Sequence, residues 1–221
     1  MIKIEDLGIQ NLKVYQDDSL YTFTSDSVLL AKFASVKKGD VVADFCAGSG
    51  IVGFYLYGLN KDKIKSLTFF ELQKPLKDLC EKSIEENGLS DNVFAVQGRL
   101  QDIDKEYNEK FSLIVCNPPY MKVGSGEVDK NDSVALCKAE LSLTLSELVK
   151  ATSKALKFGG RINLVHRADR LVDVIREFTN NGIEPKKLQF VSPKNKKPYL
   201  FLMEGVKGGK SGLNVLENIE N

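Results

Sequence analysis

Four consecutive residues, Asn117-Pro118-Pro119-Tyr120, form the most distinctive chemical grouping in the chain. They follow Phe111-Ser112-Leu113-Ile114-Val115-Cys116, an apolar run of strand length. Two prolines cannot donate to a sheet ladder, so the strand must end there and the backbone must turn outward. An amide and an aromatic ring are left at the carboxyl end of a buried strand, which is where open α/β sheets bind ligands. Two acids stand at comparable places earlier on: Asp44 in Val41-Val42-Ala43-Asp44-Phe45, and Glu71 after Leu67-Thr68-Phe69-Phe70. Between them Gly48, Gly50 and Gly53 spell G-x-G-x-x-G, and Glu71 lies twenty-one residues past Gly50. In the nucleotide-binding fingerprint such a loop turns tightly and lets backbone approach a ligand, while the acid holds ribose hydroxyls. Glycines alone are a weak signal. Strand, loop, helix, strand and acid in register fill every physical role.

Other chemistries are poorly supplied. His166, beside Arg167, is the single histidine, which argues against a His-based triad or metal site and reads as a strand-end residue. Cysteines 46, 80, 116 and 137 are far apart with no C-x-x-C spacing, so neither a zinc site nor a disulfide framework is expected, and a reducing cytoplasm fits. No apolar run approaches the roughly 18 residues of a membrane span, and the N-terminus lacks a signal-peptide apolar core. Hydrophobic residues are 43% of the 221, enough for a full core. The net charge of +1 says nothing for nucleic acid, but its distribution does. Residues 1–26 hold two lysines against five acids, whereas residues 186–210 hold seven lysines against Glu204, a local +6. A solvated loop face would look like this, and so would a polyanion-binding edge.

The elements that must position these residues alternate. Residues 1–25 show little periodicity and read as an arm, with Tyr21-Thr22-Phe23-Thr24 strand-like. Ser25-Asp26 then opens a helix with Val28, Leu29, Leu30 and Phe33 on its apolar face. The Asp44 strand, a helix from Ile51 to about Leu59, the Glu71 strand, a helix over 75–87, a strand over 93–97 and the Asn117 strand follow. Residues 121–133 read as a loop beside the site. A long helix is expected over 135–156, ended by Gly159-Gly160, then a strand over 162–165 and a helix over 168–180. Strands near 188–192 and 199–204 are joined by a hairpin-length connection and should be antiparallel. Residues 205–221 read as a loosely anchored basic tail on one domain spanning 1–221. The alternation predicts a doubly wound α/β fold with a mostly parallel sheet.

Five alternating strands and a terminal antiparallel hairpin are similar to the class I S-adenosylmethionine-dependent methyltransferases, a Rossmann-like, seven-stranded fold. Asn-Pro-Pro-Tyr resembles the signature of those that modify planar amino groups, on nucleobases or on a glutamine amide. The Gly loop serves NAD and S-adenosylmethionine equally; a dehydrogenase, however, needs a proton-transfer group that this chain poorly provides. An sp² amine instead needs acceptors for its two hydrogens, which the Asn117 side-chain oxygen and the Pro118 carbonyl supply, and a stacking ring, Tyr120.

The resemblance extends further. Phe23-Thr24-Ser25-Asp26-Ser27-Val28-Leu29-Leu30 and Lys207-Gly208-Gly209-Lys210-Ser211-Gly212-Leu213 look like the bacterial adenine-N6 methyltransferases of transfer RNA, over nearly the whole chain. Those act on the adenine next to the anticodon of a valine tRNA. The resemblance implies S-adenosylmethionine as cofactor and tRNA as partner. It places the methionine part against Asp44, Cys46, Gly48 and Gly50, the ribose at Glu71 with Leu72, and the adenine near Arg99, Leu100 and Asp102. The target base falls at Asn117, Pro118 and Tyr120, with Asn117 also reaching the cofactor. Phe23, Thr24 and Asp26 would help close the pocket. Two departures stand out. Cys46 replaces the first glycine of Asp-x-Gly-x-Gly-x-Gly, and Arg99 replaces the acid that commonly follows Gly98, a role Asp102 would take over. For RNA, Lys194, Lys196, Lys197, Lys207 and Lys210 are expected to form one lysine-rich edge. The rivals are a glutamine-N5 methyltransferase of release factors, whose helical N-terminal domain has no room before the first core strand, and a guanine-N2 methyltransferase of ribosomal RNA. A non-catalytic RNA-binding module lies outside the enzyme class, and the intact Gly loop, Glu71 and Asn117 argue against it.

Overall fold

A computed structural model describes residues 1–20, 25–119 and 143–221. Its centre is one sheet in which β3 (Asp40–Phe45), β4 (Ile64–Glu71), β5 (Val93–Gln97), β6 (Phe111–Cys116) and β7 (Leu156–Arg167) run parallel. Strand β8 (Ile183–Ser192) and β9 (Leu200–Lys207) complete it as the antiparallel hairpin. The order β8-β9-β7-β6-β3-β4-β5 inserts β9 between β7 and β8. These seven strands are those the sequence leads one to expect.

The helices α1 (Ser25–Phe33), α2 (Ile51–Asn60) and α3 (Lys74–Glu86) cover one face of the sheet, and α4 (Leu145–Ala155) and α5 (Leu171–Asn180) the other. Successive strand residues serve opposite cores, as the pleat demands. Val42 joins the core under α1 and α2, while Ala43 and Phe45 join the core under α4 and α5.

Several expectations need correction. The arm contains a hairpin, β1 (Ile2–Asp6) and β2 (Lys13–Asp17), which packs Leu12 and Val14 into the core. It is tied to α3 where the Lys13 and Tyr15 amides donate to Asn87 Oδ1 and Ser83 Oγ, both at 2.9 Å. The tail is not loosely anchored: β10 (Asn214–Val215) and β11 (Ile219–Glu220) each pair in parallel with β8, bringing the sheet to nine strands. Among described residues the long helix begins only at Leu145. Thr144, in extended conformation, accepts from the Glu147 amide while Glu147 accepts in return from the Thr144 amide, a capping box that fixes the start. Residues 135–142 of that expected helix, the 121–133 loop, and Tyr21-Thr22-Phe23-Thr24 lie outside the described residues. Gly159 and Gly160 do not end the helix, which stops at Ala155; they lie within β7, where its register against β6 shifts.

Candidate active site

Strand register brings the chemistry together. Phe45 of β3 pairs with Phe70 of β4 on one side and Cys116 of β6 on the other. The next residue on each strand therefore falls in one row along the carboxyl edge: Glu71, Cys46, Asn117. Residues 46, 71 and 117 are far apart in the chain, and the parallel pairing makes them neighbours.

At the centre, Asp44 is fully buried and its Oδ2 accepts from the Gly53 amide in the first turn of α2, at 2.8 Å. Its Oδ1 has no partner among the described residues. Burial pushes this carboxyl up to about 8; the Gly53 hydrogen bond works against that and the nearby Glu71 charge adds to it. Glu71, 7% exposed, accepts from the amides of Gly48 (2.8 Å) and Gln73 (2.9 Å). Burial raises its pKa too, opposed by those backbone amides. Both acids are thus fixed by main chain rather than by side chains.

The glycines have distinct reasons. Gly50 holds φ +87, and a Cβ there would lie 2.8 Å from the Phe54 ring. At Gly53 a Cβ would lie 2.4 Å from Phe69, so α2 could not come this close to β4. Cys46 occupies the left-handed region at φ +59, which accounts for the glycine usual at that place. Burial is the main reason the pKa of the neighbouring Cys116 thiol stands well above the ordinary value, and the nearby Cys46 adds to it.

On β6, Asn117 Nδ2 donates to Ser27 Oγ at 3.1 Å. Ser27 is buried on α1, one residue past the half-buried Asp26, and no sequence signal singled it out, since ninety residues separate it from Asn117. Pro118 is buried and Pro119 half-buried. Tyr120, Phe23 and Thr24 lie outside the described residues.

The expected adenine contacts are not all alike. Leu72 is 40% exposed just past Glu71, placing an apolar face on the crevice rim. Arg99 and Asp102 are both exposed and face each other loosely, Nε to Oδ2 3.9 Å. Leu100 is buried in the core that includes Phe45, Phe70 and Phe111. Its side chain packs in that core, and it opens a 3-10 turn, Leu100–Asp102, set against α4.

His166 is the last buried residue of β7, its Nδ1 accepting from the Arg167 amide at 2.9 Å. Burial, with Arg170 nearby, lowers its pKa to about 4, in keeping with a strand-end role.

The lysines do not form one edge. β8 runs parallel to β7, so the turn after it, residues 193–199, lies on the same edge as Asn117, whereas Lys207 and Lys210 lie towards the opposite one and Lys186 and Lys187 lie mid-strand on β8, Lys187 level with Glu204 and Asn163. Three of those four side chains are engaged: Lys187 with Glu204 (3.0 Å), Lys207 with Glu109 (3.3 Å) and the Leu156 carbonyl, and Lys186 with the Lys210 carbonyl.

A doubly wound sheet with a Gly loop, two main-chain-held acids and an Asn-Pro-Pro turn on its carboxyl edge defines a class I methyltransferase. The methyltransferase small domain model matches residues 19–181, and the chain belongs to that family. Solved structures share the fold: a predicted O-methyltransferase from Agrobacterium tumefaciens has a TM-score of 0.69 at 16% identity, over 88% of this chain and 86% of that one. TYW2 from M. jannaschii, in complex with AdoMet, has a TM-score of 0.62 at 15% identity, over 93% and 85%. Among curated relatives, the tRNA1(Val) (adenine(37)-N6)-methyltransferase of Shewanella frigidimarina is 25% identical over 178 residues, 78% of this chain and 70% of the relative. That of Shewanella putrefaciens is 27% identical over 144 residues, 64% of this chain and 58% of the relative.

Proposed function

We propose that this methyltransferase uses S-adenosylmethionine to methylate the N6 amino group of an adenine in tRNA, the adenine next to the anticodon of a valine tRNA. The observation that supports the reading best is the row Glu71, Cys46, Asn117, an acid and an amide at the ends of the two strands that flank β3.

The donor set suits this cofactor better than a dinucleotide. A pyrophosphate needs free amides at the loop and the helix N-terminus. Here the Gly48 amide is taken by Glu71 and the Gly53 amide by Asp44. The acceptor lone pairs that remain on these two buried carboxyls, with Asp44 Oδ1 lacking a partner among the described residues, suit a ligand carrying positive charge and a diol, and a cation beside Asp44 would favour its ionised form. Asp44 with the loop to Gly50 would face the methionine part, and the lone pairs left on Glu71 the ribose. When bound, the cofactor supplies an electrophilic methyl group on a sulfonium.

The chain's own work is positioning. The Asn117 side-chain oxygen and the Pro118 carbonyl accept the two hydrogens of the amine, drawing its lone pair out of conjugation, and Tyr120 stacks on the base. Ser27 accepts from the Nδ2 end of the Asn117 amide, which orients that side chain. Such acceptors act mainly at the transition state, and removing one costs on the order of 10²-fold or more in rate.

Transfer of tritiated methyl groups to unmodified total tRNA, ribosomal RNA and release factor, followed by nucleoside analysis, tests this. N6-methyladenine in tRNA is expected, and abolished in Asn117→Ala with cofactor affinity retained. Label in release factor or as N2-methylguanine would replace the reading with one of its rivals. Near-normal turnover of Asn117→Ala would reduce the motif to a structural turn.

A further inference from the structure

A single extruded base buries too little surface to hold an RNA, so affinity must come from phosphate contacts beside the site. Strand direction decides where those contacts can be. The parallel run of β6, β7 and β8 sets the ends of all three on one edge, with the end of β7 next to Asn117 and the turn after β8 beyond it. That turn lies two to three strand spacings across the sheet from Asn117, about 10–14 Å, and further out along the strands, since by register Gln189 is the β8 residue level with Asn117 and the turn begins four residues beyond it.

The turn is built to present charge. The Lys196 amide donates to the Pro193 carbonyl at 3.0 Å, and Asn195 takes the left-handed conformation at φ +57 that asparagine tolerates. Lys194, Lys196 and Lys197 are exposed, and none forms an ion pair among the described residues. Tyr199 follows, 40% exposed, its hydroxyl accepting from Asn221 at 3.0 Å and its carbonyl from the Ala168 amide at 2.9 Å. Arg167, at the end of β7, pairs with Asp169 at 3.3 Å with both side chains more than half exposed, an arrangement that contributes little and exchanges readily for a phosphate. The tail adds two acids along β8, Glu220 beside Ser192 at the foot of the turn and Glu217 beside Gln189, and with Asp169 they leave the four cationic side chains in excess.

We propose that the tRNA backbone is gripped on the β7–β8 half of the carboxyl edge by Lys194, Lys196, Lys197 and Arg167, with the Tyr199 ring as a platform for an unpaired base. The lysines of the opposite edge take no part, although the stretch 207–210 resembles family sequence. The proposal rests on the tRNA reading above. Tyrosine stacks on any base through its π-face, and lysines track phosphates without reading sequence, so together they suit a folded RNA with an exposed loop.

Binding of the full chain to an unmodified tRNA transcript, measured across salt concentrations, tests it. Lys194, Lys196 and Lys197 replaced together by alanine should weaken binding about tenfold or more and lower the slope of log Kd against log salt by about two. The same three replaced by arginine should keep the wild-type slope. Tyr199→Ala should lose about tenfold and Tyr199→Phe almost nothing. Calorimetric affinity for S-adenosylhomocysteine should be unchanged in all of them, which shows that each variant is folded. A wild-type slope in the alanine triple variant, or a slope that moves instead in Lys186→Ala/Lys210→Ala, overturns the surface. Methyl transfer is read separately. Adenine methylation with an unmoved slope sinks the surface alone, and a moved slope with no methylation of tRNA sinks only the substrate reading.

Discussion

Asp44 is the residue whose charge the fold resists most. Its carboxyl is raised from 3.8 to about 8 by burial, so between those pH values the folded chain keeps a proton that the unfolded chain has released. Stability from this group therefore falls as pH rises through that window, the reverse of an ion-paired acid. Asp44→Asn has no proton to lose. Its urea midpoint relative to wild type should accordingly rise steadily between pH 4 and 8, and a difference that does not change with pH would mean the carboxyl titrates normally. Ser27 acts at one remove, through Asn117. Ser27→Ala should lower kcat about tenfold with little change in KM for the cofactor, since an unrestrained amide costs orientation rather than binding. An equal loss in Ser27→Thr, which keeps the hydroxyl, would mark a packing effect instead. Cys46 carries the backbone strain of a side chain at φ +59. Cys46→Gly should raise stability by about 0.5–1 kcal/mol as that strain is relieved, less the added freedom of the unfolded chain, checked by urea unfolding at constant pH.

At the level of elements, what was legible in the sequence had a local cause. β6 occupies the span that its apolar run indicates, because a strand buried on both faces and bounded by turn residues leaves little choice, and β5, at the sheet's edge with Phe94 exposed, follows its apolar run as well. The Gly loop and Glu71 were legible for the same reason: each role is tied to a strand end. The hairpin β1–β2 and the strands β10 and β11 were not, since two to five residues gain their pairing only from a distant partner. Nor was the division of the lysines, which depends on β9 entering antiparallel between β7 and β8. β8 even carries Pro185, which cannot donate to the ladder, and the register shifts beside it. The start of α4 was legible in principle: Thr144-Leu145-Ser146-Glu147 is a capping-box sequence that apolar periodicity alone passes over. Thr144→Ala should cost about 1 kcal/mol, measured by thermal or urea unfolding; no change would mean the helix starts elsewhere in solution.

Over the whole molecule, the tail closes one side of the sheet. β10 and β11 cover the outer edge of β8, and Asn221 hydrogen-bonds to Tyr199 and to Ser25 at the start of α1. Removing residues 213–221 should leave β8 a bare edge, lower the melting temperature and raise concentration-dependent light scattering, as unpaired strands invite partners. An unaltered melt and scattering would show the tail to be dispensable. The strand order has a consequence for synthesis on the ribosome as well. β9, residues 200–207 of 221, is an interior strand with β7 on one side and β8 on the other. A nascent chain can assemble β3 through β6 and its Gly loop early, but it must hold β7 with an open flank until residues 200–207 have emerged. A chain halted before residue 200 would therefore present a half-closed sheet with a formed nucleotide loop, and chaperones that guard exposed strand edges would meet this protein after that loop has formed rather than before.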